Sequence, residues 1–132
     1  MDQITKPLDL LEKAFDACFK ATGLRFTVEE IEARLADGRR ADALVRLQTQ
    51  GTDTQFAAEV KKTLTTATLG AVVEQLRRLG RRGLLVADYV NPNMAERLRG
   101  MNIPFLDAAG NVYINEPPLF VYLRGQRPPQ LL

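Results

Sequence analysis

ADALVRLQTQGTDTQFAAEVKKT, residues 41–63, is the stretch on which the fold turns. Two β-type runs, residues 41–49 and 55–63, flank the polar segment Gln50-Gly51-Thr52-Asp53-Thr54, the pattern of an antiparallel hairpin. Phe56, Ala57, Ala58 and Val60 make the second run apolar on both faces, as in a strand covered on both sides. Glu59 and Lys61 interrupt it. Strand residues two apart share a face, so these side chains emerge together, roughly 7 Å apart. Asp42 joins them if the hairpin register places it opposite, and register is not readable from the sequence. Two acidic oxygen donors suit Mg²⁺, and a neighbouring lysine can orient a water or stabilise a transferring phosphoryl group. The competing reading is a half-exposed ion pair worth about 0–1 kcal/mol.

On the amino-terminal side of the hairpin, residues 5–22 carry Leu8, Leu11, Phe15 and Cys18 at helical spacing, begun by Thr5 and Pro7 and stopped by Gly23. Residues 24–35 fit a strand through Leu24, Phe26 and Val28. They also fit a capped helix through Thr27-x-x-Glu30, and the strand is preferred. Asp37-Gly38 reads as a turn. Beyond the hairpin, Leu69, Val72, Val73, Leu76 and Leu79 predict a helix with Thr65 or Thr66 as N-cap and Gly80 as stop. Leu84-Leu85-Val86-Ala87 predicts a fully covered strand, and Asn91-Pro92 starts a helix that ends near Gly100. Short strands follow at 104–107, 112–114 and 119–123. The predicted order is α, β, β, β, α, β, α, β, β, β: an α/β fold, a mixed sheet flanked by helices.

Composition narrows the chemistry. The chain has 132 residues, enough for one core, and 18 basic against 16 acidic residues leave a net charge of +2. There is no histidine, which removes Ser-His-Asp and Cys-His catalysis, imidazole-bound zinc and histidine pH switching. The single Cys18 cannot form an internal disulfide and falls on an apolar helix stripe, so it reads as a core residue of a cytoplasmic protein. No apolar run approaches a membrane span, and no signal peptide is evident. Residues 1–125 are expected to form one domain, with 126–132 a polar, proline-containing, linker-like tail.

The Asp42, Glu59 and Lys61 set resembles the PD-(D/E)XK nuclease-like superfamily, with Ala41 in place of the usual proline before the first acid. The resemblance implies a restriction-endonuclease-like fold. It makes Asp42 and Glu59 the metal ligands, Lys61 the catalytic lysine and Gln75 a polar residue near the site on the following helix. Glu12 on the first helix is the only counterpart for an additional acid, and it also reads as a solvated helix residue. A longer similarity, over about residues 24–125, is carried by Arg39-Arg40-Ala41-Asp42-Ala43, Phe56-Ala57-Ala58-Glu59-Val60-Lys61, Asp88-Tyr89-Val90-Asn91-Pro92 with Ala95-Glu96-Arg97-Leu98, and residues 105–114 (FLDAAGNVYI). These resemble the nuclease-like domain of AbiEi-type antitoxins and transcriptional regulators of type IV toxin–antitoxin systems. The resemblance implies DNA as a partner, a cognate toxin, and a winged-helix DNA-binding segment beyond the tail.

Basic residues cluster at Arg39-Arg40, Lys61-Lys62 and Arg77-Arg78 with Arg81-Arg82. Arg39, Arg40 and Lys62 would surround the acidic site with positive charge suited to a nucleic-acid backbone. Arg77 and Arg78 serve phosphate contact or simply complement the helix dipole. Asp107 with Gly110-Asn111 reads as a turn and its hydrogen-bonded support, and Asp88 as a pocket residue or a helix-start organiser. Three functions remain open: a nucleic-acid-binding regulatory module, an active Mg²⁺-dependent endonuclease, and a structural or homodimerisation domain associating through strand edges.

Overall fold

Seven strands form one mixed sheet in the order β1-β2-β3-β4-β5-β6-β7, so every strand lies beside its sequence neighbour. The computed structural model describes residues 6–79 and 82–129. Its elements are α1 (Lys6–Thr22), β1 (Phe26–Arg34), β2 (Arg40–Thr49), β3 (Thr52–Lys61), α2 (Thr66–Arg78), β4 (Gly83–Ala87), α3 (Pro92–Gly100), β5 (Phe105–Asp107), β6 (Val112–Glu116) and β7 (Leu119–Leu123). This is the predicted order of helices and strands. The strands β3, β4 and β5 run parallel, joined by α2 and α3, and antiparallel pairs extend the sheet on both sides.

Side-chain alternation divides the core into two layers. On one face α2 and α3 pack Leu69, Val72, Leu76, Ala95 and Leu98 against Leu44, Ala57, Leu85 and Phe105. On the other, α1 packs Leu11, Ala14 and Cys18 against Val45, Phe56, Ala58, Leu84 and Val86. Consecutive β3 and β4 residues therefore alternate between layers, and Phe56, Ala57, Ala58, Leu84, Leu85, Val86 and Ala87 are all buried. Cys18 is a buried thiol in this core, its pKa raised by burial.

The ends of the elements follow local chemistry. Gly23 closes α1 with a φ of +81° and donates to the Phe19 carbonyl at 2.8 Å. Residues 24–35 take the strand alternative, with a bulge between Val28 and Glu30. The hairpin link is tighter than composition suggested: β3 begins at Thr52, leaving Gln50-Gly51 at the turn. Thr65 caps α2 through a reciprocal pair of bonds with Thr68, and Asn91 caps α3 with Pro92 at the first helical position. The expected start at Thr5 and stop at Gly80 lie outside the described residues.

Asp107 is fully buried, and its carboxylate accepts from the Val90, Ala109 and Asn111 backbone N–H groups and from Asn111 Nδ2, at 2.7 to 2.9 Å. Asn111 in turn bonds both backbone groups of Gln126. One side chain thus ties the β4–α3 loop to the β5–β6 turn, where Gly110 takes a φ of +99°, and through Asn111 to the chain beyond β7. The structure corrects the expected linker-like tail from residue 126 as far as Pro129: Gln126 is pinned and Pro128 is buried. Residues 130–132 lie outside the described residues. Among the described residues no helix is long and apolar enough to cross a membrane.

Replacing Asp107 with Ala strands several buried donors and should destabilise the protein by about 2–4 kcal/mol in urea denaturation. Glu12→Ala, at an exposed position on α1, should change stability by less than about 0.5 kcal/mol in the same measurement.

Candidate functional site

The last described β2–β3 pair is Ala43 with Ala58, and one further step along that register sets Asp42 opposite Glu59. There the two strands part. β2 continues to pair with β1 through Ala41 and Arg40, while the Val60 backbone N–H donates to Asp42 Oδ2 at 2.7 Å. A side chain thus takes a bond that a continued ladder would have used, and the fork opens a notch. Glu59 falls on the α2 side of the sheet by the alternation that places Ala57 there, and Asp42 meets it through its own backbone N–H, which donates to the Glu59 carboxylate. Lys61 shares that side. From α2, Gln75 Nε2 donates to Glu59 Oε1 at 2.7 Å. The structure therefore gathers Asp42, Glu59, Lys61 and Gln75 at one end of the sheet.

Glu59 is 3% exposed. Burial, and after it the neighbouring Asp42 carboxylate, push its pKa up to about 7, against the opposing pull of the Lys61 ammonium and the Asp42 backbone N–H. Lys61 is half-buried and makes no ion pair among the described residues, which leaves its ammonium available to a bound group. Two carboxylates forced together in a desolvated place, beside an unpaired lysine, fit a hard divalent cation: the ion relieves the repulsion that raises Glu59. Asp42 and Glu59 would hold it. Among the described residues no cluster of three or more His, Cys, Asp or Glu forms a metal cage, so water or substrate oxygens would complete the coordination, as is usual for Mg²⁺.

The basic residues come from two places, the open ends of β2 and β3 and the last turn of α2. Arg40 opens β2 beside the end of β3, and Lys62 follows Lys61. Arg39 stands in the β1–β2 turn, where its side chain meets Asp37 at 3.4 Å. Arg77 and Arg78 lie at the far end of α2, and Arg77 lines a separate cavity of about 360 Å³ with Arg82, Asn102 and Glu116. Arg77 and Arg78 follow Gln75 by two and three residues, so their backbone lies within about one helical turn of the residue that bonds Glu59. Arg81 lies outside the described residues. Glu12 is exposed on α1, which covers the opposite face, so it does not reach the notch.

Asp107 and Asn111 are structural, as their turn pattern predicted. Asp88 is exposed and lines a cavity of about 270 Å³ with Lys13 and Lys62 on the α1 side. Sequence reading did not bring out Lys13 or the Val60 N–H. Lys13 nears Lys62 only through the packing of α1, and the Val60 N–H becomes a partner only where the ladder forks. Comparison with protein-family models, with curated proteins and with solved structures finds no match.

The raised pKa has a definite sign. Folded Glu59 holds its proton to about pH 7, whereas the unfolded side chain releases it near 4.5. The stability this contributes is fully present below pH 4.5 and falls as pH rises to about 7. Glu59→Gln should remove that decline from the pH dependence of the melting temperature. A Mg²⁺ ion held here would require the ionised pair, so it should raise the wild-type melting temperature at pH 8 far more than at pH 5, and leave Glu59→Gln nearly unchanged. A wild-type profile that matches the variant, with no response to Mg²⁺, would remove both the coupling and the cation site.

Proposed function

We propose that this chain is a nuclease-like nucleic-acid-binding domain of the antitoxin and transcriptional-regulator type, working in the cytoplasm with DNA as its partner and a cognate toxin as its protein partner. The observation that carries the reading is the convergence of Asp42, Glu59, Lys61 and Gln75 at the end of the sheet where Arg40 and Lys62 also stand. The α-β-β-β-α-β order of the first six elements agrees with the core that the sequence resemblance implies. In this reading the phosphate backbone approaches the forked ends of β2 and β3. Arg40 and Lys62 supply sequence-independent attraction, and Lys61 meets a phosphate oxygen within the notch.

A second reading, a Mg²⁺-dependent endonuclease, is favoured by the facing Asp42 and Glu59 carboxylates and the unpaired Lys61. A bound ion would polarise the phosphoryl group and lower the pKa of an attached water. Lys61 would stabilise the charge that develops on the phosphoryl oxygens.

Binding of a fluorescent DNA duplex and of a single strand, measured between about 50 and 200 mM salt, tests the first reading. Affinity should fall steeply with salt. Arg40→Ala and Lys62→Ala should each weaken binding and reduce the salt slope by about 1, whereas Arg124→Ala, just past β7 at the opposite edge of the sheet, should leave it unchanged. Affinity that is flat in salt, or lost only on Arg124→Ala, would contradict a backbone-binding notch. Incubation of the same DNA with Mg²⁺ or Mn²⁺ separates the two readings: cleavage that Lys61→Ala abolishes while the fold survives establishes the endonuclease. Intact DNA under conditions that saturate binding leaves the regulatory module.

A further inference from the structure

The two edges of the sheet are built differently. β1 has a bulge between Val28 and Glu30, carries Glu29, Glu30 and Glu32, and holds Glu32 at a φ of +49°. Charges and irregular backbone of this kind keep an edge strand from pairing with another chain. β7, at the opposite edge, has none of these devices. Its five residues, Leu119-Phe120-Val121-Tyr122-Leu123, are uncharged, and all pair in unbroken register with β6. Among the described residues its backbone has no hydrogen-bond partner apart from β6. None of the five is fully buried, and Phe120 is 60% exposed.

We propose that β7 is a self-association edge, pairing antiparallel with β7 of a second copy of this chain to join the two sheets. The edge is complementary to itself, which selects a second copy as its partner. A two-fold axis through Val121 sets Phe120 of each copy against Tyr122 of the other, and Leu119 against Leu123, while the two Val121 residues face each other. The aromatic pairs share one face and the aliphatic residues the other. No charge within the segment opposes another, and Pro118 and Arg124 bound it to five residues. This edge is independent of the notch and of the nucleic-acid reading: Glu59 and Lys61 lie four strands away in the sheet and Asp42 five.

So short an edge gives a weak, concentration-dependent dimer, with association in roughly the micromolar to hundred-micromolar range. Sedimentation equilibrium should show the mass rising from 14.7 kDa towards twice that value over this range. Amide hydrogen exchange should show residues 119–123 becoming protected as concentration rises, with β1 unaffected. Phe120→Lys places a charge on an already exposed side chain and should leave the melting temperature near wild type while holding the protein monomeric. A wild-type chain that stays monomeric at several hundred micromolar overturns the proposal. So does a dimer that persists in Phe120→Lys with residues 119–123 unprotected, because it would be built on another surface.

Discussion

Burial on both faces of β3 and β4 is the constraint from which the rest of this structure follows. With α1 on one side and α2 and α3 on the other, every side chain of residues 56–58 and 84–87 must be apolar and closely packed. Ionisable groups are tolerated only where the strands leave this sandwich. On β3 that place is its last turn of pleat, at Glu59 and Lys61. The site is therefore at the carboxyl end of a central parallel strand, the position where open α/β sheets bring their loops together.

The fork between β2 and β3 turns that end into a notch. At Asp42 the ladder gives way to a bond that the Val60 N–H donates to the Asp42 carboxylate, so the backbone donor is satisfied while the carboxylate is held near Glu59. Gln75 fixes Glu59 from above. Two acids brought together in a dry place do not hold two negative charges comfortably, and the shared cost appears as a proton retained on Glu59 to about pH 7. A cation held between the two carboxylates would relieve that cost, and without one the fold is weakened as pH rises to about 7.

Two strands away, at the same end of the sheet, a buried carboxylate is handled in the opposite way. Asp107 receives four donors and serves as a knot between the β4–α3 loop and the β5–β6 turn, and Asn111 extends it to the segment after β7. Burial acts on both acids, pushing each pKa up, but around Asp107 hydrogen bonds from backbone and amide groups offset it, where Glu59 has another carboxylate beside it. Fully bonded, a buried acid stabilises a junction; crowded by a second one, it makes a site.

Much of this was legible in local sequence. Periods of 3.6 and 2 residues marked the helices and strands in their order, Asn91-Pro92 and Gly23 marked helix ends, and strand alternation put Glu59 and Lys61 on one face. These depend on contacts within a few residues, which a sequence displays directly. Other features depend on contacts between distant segments. The β2–β3 register and its fork brought Asp42 to Glu59. The placement of α1 on the opposite face removed Glu12, the packing of α2 set Gln75 on Glu59, and Asn111 docked what composition marked as a linker. Each of these is a choice among packings whose local propensities are equal, and only burial of the whole sheet between its helices selects one.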